Sequence, residues 1–175
     1  PLIVDELVAD RARLSPEAMA LFERFPWPGN GRELANEIDR AIEAGRLADV
    51  PMMVDVGYFR EERPFHQMVT ERLRPGDIAT HMFRGPVPYI GADGKLLPYL
   101  AQARARGVLF DVGHGGGSFD FTVAEVAIAG GCGPDAISSD IHVFSGNTPG
   151  MPYLPNVMSK FIPLGYTVEQ VVAMA

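Results

Sequence analysis

Five side chains able to hold a metal or move a proton lie at or just beyond the ends of short apolar runs. Asp55 closes the run from Pro51, His81 closes the run from Asp77, His114 lies just past the run Val108 to Asp111, and Asp140, with His142 behind it, closes the run from Ala136. Imidazole and carboxylate are both good ligands for zinc and similar divalent ions. In a parallel sheet covered on both faces, the C-terminal strand ends are where loops open and where ligands and metals collect. The recurrence therefore points to an active-site rim shared by several strands rather than built on one loop.

Those side chains need strands to carry them and helices to return the chain. From Pro51 onward, strand, loop and amphipathic helix alternate at about the length of a βα unit. Four strands are predicted: Met52 to Val56, Asp77 to Met82, Val108 to Val112 and Ala136 to Asp140. Apolar spacing predicts helices over Phe65 to Leu73, Leu96 to Arg106 and Phe119 to Ala129, with Gly76, Gly107 and Gly130 near their stops. Two shorter helices are expected over Leu154 to Phe161 and Val168 to Met174, the second capped by Thr167. The glycine run Gly113 to Gly117 lacks the Lys-Ser/Thr of a phosphate loop, and a tight strand-to-helix turn accounts for it.

The first 47 residues read differently, as a helical hairpin. Ser15, Pro16 and Glu17 supply a capping hydroxyl, a proline at the first helical position and an acid near the positive end of the helix dipole. That helix stops before Pro26-Trp27-Pro28-Gly29. A second begins at Asn30, with Glu33 in capping-box position, and runs to about Leu47 with Leu34, Ile38, Ala41 and Ile42 on one face.

Composition narrows the function. A 175-residue chain with 47% hydrophobic residues can bury a core, and a formal charge of −7 with dispersed Arg and Lys argues against a direct nucleic-acid surface. Cys132 is the single cysteine, so no internal disulfide can form; a small buried or loop thiol is the expected role. No run is long and apolar enough to span a bilayer and no secretory leader is visible, so a cytoplasmic location is expected. The chain starts at Pro1 and reads as a piece of something longer.

The segments PMMVDVG (51 to 57), LRPGDIATHMF (73 to 83), ARGVLFDVGHGGGSF (105 to 119), PDAISSDIH (134 to 142) and NVMSKFIPLGYTVEQVV (156 to 172) follow one another in an order and spacing that resembles the deacetylase-like branch of the metal-dependent amidohydrolases. The resemblance implies an α/β fold: the last four strands of an eight-stranded TIM barrel, spanning residues 48 to 175. It implies a hydrolase acting on a small amide or ester with a divalent metal, zinc or alternatively manganese. It makes His81 a metal ligand and Asp140 a ligand that also takes a proton from the bridging hydroxide. Asp55 stands where the wider superfamily has a histidine; a carboxylate there can still bind a hard metal. His114 and His142 would line a substrate pocket, with loop hydrogen bonding or helix capping as the rival role for each.

LSPEAMALFERFPWPGNGRELANEIDRAI (14 to 42) resembles instead the helical lid of AAA+ ATPase domains in bacterial activators that work with the nitrogen-type sigma factor. Arg32 would be the sensor arginine that touches nucleotide phosphate. Gly31 departs from the usual aliphatic residue, and no Walker A loop occurs, so ATP hydrolysis by this chain is not expected. The family's His-x-His pair and bridging lysine strand are also missing, so little hydrolase activity is expected from the chain alone. A half barrel would expose strand edges at Met52 to Val56 and Ala136 to Asp140, which favours a homodimer. Two rival readings stay open: a regulatory fragment of an AAA+ activator, and a nonfunctional chimera.

Overall fold

The computed structural model describes residues 30–55, 65–85, 89–143, 145–147 and 153–175. The expected first helix and the Pro26-Trp27-Pro28 corner lie outside these residues, as does the end of the first expected strand at Val56. The elements run α1 (Asn30–Ala48), β1 (Met53–Val54), α2 (Phe65–Arg72), β2 (Ile78–Ala79), α3 (Pro98–Arg106), β3 (Leu109–Phe110) and α4 (Phe121–Ala129). A 3-10 turn (Ser145–Asn147), α5 (Leu154–Ser159) and α6 (Val168–Met174) follow.

Local chemistry sets these boundaries. The α3 helix begins with Pro98 in its first turn and stops at Gly107, whose φ of 91° lets its N–H turn back to the carbonyls of Ala103 and Arg104. Asp120 caps α4 by accepting from the amides of Thr122 and Val123. Thr167 caps α6 in a full capping box with Gln170. The α1 helix is unbroken across the stretch where the two sequence resemblances meet. Ile38 is buried on it, and Asp39 pairs with Arg72 of α2 at 3.4 Å.

The sheet is parallel with order β1-β2-β3, pairing Met53 with Ile78 and Ile78 with Leu109. Four strands were expected, and the segment from Ala136 to Asp140 corrects that count. It meets β3's continuation through one parallel bridge, Asp111 to Ala136, and forms no strand. The reciprocal bonds stop after Ala136, whose amide donates to Phe110; Ile137 faces away from β3 and donates at 2.6 Å to the carbonyl of Met174 in α6. Beyond that point the ladder runs one way, from the amides of Val112, His114 and Gly115 to the carbonyls of Ala136, Ser138 and Ser139.

Met52, Ala79, Val108, Phe110 and Val112 join Leu100 and Ala103 of α3 and Ala124 and Ala127 of α4 in the core. A second focus is aromatic: Phe83, Phe119 and Phe161 meet with centroids 5.7 to 6.1 Å apart. The row Met53, Ile78, Leu109 is in register across the strands, with Met53 45% and Leu109 39% exposed. Parallel sheets are ordinarily covered on both faces; this row is open among the described residues. Asp77 anchors the other end of β2. Its buried carboxylate accepts from the amides of Met52 (2.9 Å) and Arg74 (2.8 Å) and from the Arg74 guanidinium. Burial pushes the Asp77 carboxyl up, but Arg74 and the two amides outweigh that and hold it below the usual carboxylate range. Cys132 is buried, as expected, and burial raises its thiol pKa.

Candidate metal centre

The β2 strand delivers His81 to the C-terminal edge of the sheet with an unusual backbone. Its φ is 59°, in the left-handed region that a histidine enters only at a cost. Surrounding bonds hold it there: Tyr89 Oη and the Arg84 amide both donate to its carbonyl, at 3.1 and 3.2 Å. Asp140, at the end of the fourth segment, is also left-handed with φ 45°. The described residues contain one other non-glycine with positive φ, Asp49. Two of the three such residues are therefore among the three positions, His81, Asp140 and Asp55, that the amidohydrolase resemblance marks as metal ligands.

The ring of His81 is aimed. Its Nδ1 contacts the Gly113 carbonyl, which can only accept, so Nδ1 carries the proton and Nε2 is left to face outward. Nε2 lies 3.5 Å from Asp55 Oδ2 and 4.0 Å from Asp140 Oδ2. A backbone carbonyl on one ring nitrogen, with the second turned toward the carboxylates, is the arrangement that orients histidine as a metal ligand. Burial lowers the His81 pKa, but hydrogen bonding and charge attraction from Asp55, the Gly113 carbonyl and Asp140 outweigh it, so the net shift is upward.

Glycine makes this approach possible. A Cβ on Gly113 (φ 49°) would collide with Thr80 Oγ1 and stand 2.8 Å from His81 Nδ1; one on Gly115 (φ 49°) would stand 2.7 Å from Asp140 Oδ2. The glycine run is the close-packed floor beneath both residues, a role beyond the tight turn expected of it. Below it lies Asp111, buried, accepting from Thr80 Oγ1 at 2.6 Å and Ser138 Oγ at 2.7 Å. Asp111 thus ties the residue before His81 to the segment that ends in Asp140. Sequence reasoning placed Asp111 at a strand end but gave it no part in the site.

The structure brings Asp55, His81 and Asp140 together. Their donor types suit a divalent cation, and the His81 tautomer presents a lone pair to it. The arrangement falls short: among the described residues no group of three or more His, Cys, Asp or Glu is placed so that it could hold a metal ion. His114 does not supply the missing ligand. Its Nδ1 faces the Gly115 carbonyl at 2.6 Å and its Nε2 faces the ammonium of Lys160. Burial lowers its pKa, the Gly115 contact opposes that, and Lys160 adds to it, for a net downward shift. His142 is exposed in the loop after Asp140, where its amide donates to Ser145 Oγ at 2.8 Å. Arg32 lies in α1, but its side chain is outside the described residues. Lys160 is the residue sequence reasoning passed over, since nothing local links it to a histidine 46 positions earlier.

Comparison with known proteins gives two results. Residues 4–55 match the AAA+ ATPase lid domain family. A 128-residue stretch is 41% identical to a deacetylase of Agrobacterium fabrum, covering 73% of this chain and 30% of that protein. Similar matches are a deacetylase of Brucella anthropi, 39% identical over 73% of this chain and 31% of that one, and a deacetylase of Enterococcus faecalis, 31% identical over 80% and 36%. Among solved structures, an adenine deaminase superposes with a TM-score of 0.71 at 28% identity, covering 78% of this chain and 37% of the other. A dihydroorotase superposes at 0.65 and 34% identity, covering 81% and 38%. The chain spans about a third of the length of the curated relatives it matches. No helix among the described residues is long and apolar enough to cross a membrane. The chain carries an amidohydrolase-like part of α/β architecture, preceded by a segment that matches the AAA+ lid.

Proposed function

We propose that this chain supplies one half of the active site of a metal-dependent, deacetylase-like hydrolase of amides or esters, with His81 and Asp140 as metal ligands and Asp55 as a third donor. The observation that carries the reading is the convergence of His81 Nε2 on two carboxylates, with Nδ1 fixed by the Gly113 carbonyl. A bound zinc or manganese ion would acidify a water molecule and polarise an acyl carbonyl. The chain's own residues divide the remaining work. Asp140 holds a proton at its carboxylate and passes it to the leaving group, Gly113 and Asp111 keep the donors in place, and His142 lines the mouth.

The open row Met53, Ile78, Leu109 supports the half-barrel reading, because a closed barrel packs such side chains inside. A second copy pairing along β1, an edge strand among the described residues, would satisfy that edge, and sizing chromatography of the purified chain decides it: a homodimer is expected, and a monomer at high concentration refutes the pairing. The isolated chain has little hydrolase activity on this reading, since its donor set is short. Equilibrium dialysis with zinc and with manganese tests the centre: weak one-ion binding is expected, lost in His81→Ala and in Asp140→Ala. Binding unaffected by both substitutions, or turnover typical of an enzyme by the chain alone, refutes it.

The lid match over residues 4–55 supports a second reading, in which the N-terminal segment serves an AAA+ activator. That reading expects ATP or ADP binding weakened by Arg32→Ala. No nucleotide binding at millimolar concentration ends it.

A further inference from the structure

Apart from the His81 and Asp140 centre, one amine and one imidazole meet. Lys160, at the end of α5, donates from Nζ to His114 Nε2 and stands over the Phe119 ring, 5.2 Å from its centroid. His114 stacks on the same ring, with centroids 5.4 Å apart and planes at 17°, and is buried. Its Nδ1 faces the Gly115 carbonyl, which can only accept, so that nitrogen holds the proton and Nε2 turns a lone pair toward Lys160. A neutral imidazole thus has its basic atom already against the amine. Lys160 itself is half-buried, and no ion pair of the described residues includes it. An ammonium drawn out of water with no carboxylate beside it gives up a proton more readily, and burial accordingly lowers the Lys160 pKa. The chain carries its own contrast: its one other lysine, Lys95, is exposed.

We propose that Lys160 is an acyl-acceptor site, an amine that takes an acyl group from a small thioester while His114 receives its proton. A thioester suits the cluster because a thiolate leaves without an acid to protonate it, and His114 Nε2 is a base with no proton to give. The free amine of Lys160 attacks the thioester carbonyl from its place beside Nε2. The Nζ lone pair forms the new C–N bond, the carbon–sulfur bond breaks, and its electron pair departs on the thiolate. His114 Nε2 takes the proton from Nζ and returns it to the thiolate, so the products are an acylated lysine and a thiol. The resulting amide keeps one N–H for His114 and loses the positive charge. His81 and Asp140 take no part, so the site stands or falls apart from the hydrolase reading.

The test incubates the purified 175-residue chain at neutral pH with S-acetyl-N-acetylcysteamine, an acetyl thioester, and follows acetylation of Lys160 and Lys95 by peptide mass spectrometry. Lys160 is expected to react about tenfold faster than Lys95: a general base ordinarily contributes about a hundredfold or more, and half-burial of the amine takes back part of it. In urea-unfolded chain the two rates should converge, because the contact with His114 is gone. His114→Gln, which keeps a neutral acceptor but removes the base, should bring the folded-state ratio down toward one. Should that variant fail to fold, the wild-type ratio and the urea comparison decide alone. Acetylation of Lys160 no faster than that of Lys95, a ratio that persists in urea, or one untouched by His114→Gln in a folded variant overturns the proposal. Zinc binding lost in His81→Ala, measured separately, reports only on the metal centre.

Discussion

His81 and His114 are oriented by one device and placed in opposite fields. Each gives its Nδ1 proton to a glycine carbonyl of the same loop, Gly113 for one and Gly115 for the other. Each therefore presents Nε2, but His81 presents it to two carboxylates and His114 to an ammonium. Burial pulls both pKa values down; for His81 the acids overcome it, and for His114 Lys160 reinforces it. The difference shows how one glycine-rich turn aims the same ring nitrogen at two acids in one histidine and at a base in the other, with the neighbouring charge setting the direction in which each pKa moves.

The most damaging way to break that comparison is Gly113→Ala. The left-handed backbone and a Cβ pressed on Thr80 and His81 predict a loss of about 3–4 kcal/mol, with His81 displaced, readable as a large fall in the denaturant midpoint. Asp111→Ala comes next. It strands the hydroxyls of Thr80 and Ser138 and should cost about 2–3 kcal/mol in the same measurement, and zinc binding should weaken with it. Neither change touches the Lys160 contact to His114 directly, so the His114 resonance should move less than that of His81.

Titration sharpens the contrast without disturbing the fold. In metal-free protein, imidazole NMR should show His81 titrating above the ordinary value near 6.5 and His114 below it. The signs for stability then oppose. The raised pKa of His81 gives stability that is full below the unfolded value and lost as pH rises through the folded one. The lowered pKa of His114 gives stability that is full above the unfolded value and lost as pH falls through the folded one. Asp55→Asn should lower the His81 value clearly, because Asp55 is the largest of the raising influences. The smallest effect expected is Lys160→Met on His114: a slight rise, since burial rather than Lys160 is the main cause of its depression.

The helices were legible in the sequence because their ends are written in local chemistry. Thr167 and Gly107 each announced a boundary, and α6 falls where expected, whereas the helix expected from Leu96 begins at Pro98. The polar residues that close apolar runs put His81, Asp55 and Asp140 on one expected rim, and the amidohydrolase resemblance, not local chemistry, gave His81 and Asp140 their ligand roles. The fourth strand was misread because the bonds to β3 are reciprocal only at Ala136 and run one way beyond it, a difference that apolar periodicity does not carry. Lys160 was missed for a kindred reason. It sits in an amphipathic pattern that explains it fully as a helix residue, and only the folded chain sets it against His114. The loop glycines were visible as a turn, but their closeness to His81 and Asp140 required the third dimension.

The left-handed backbone at His81 and Asp140 has a practical consequence for engineering. Glycine at either position would relax the chain, and histidine gains more than aspartate, which tolerates that region better. A library ranked by melting temperature alone would thus be drawn toward glycine at 81 and 140, trading away the donors for a sturdier fold. Thermal selection on this scaffold should hold those two codons fixed.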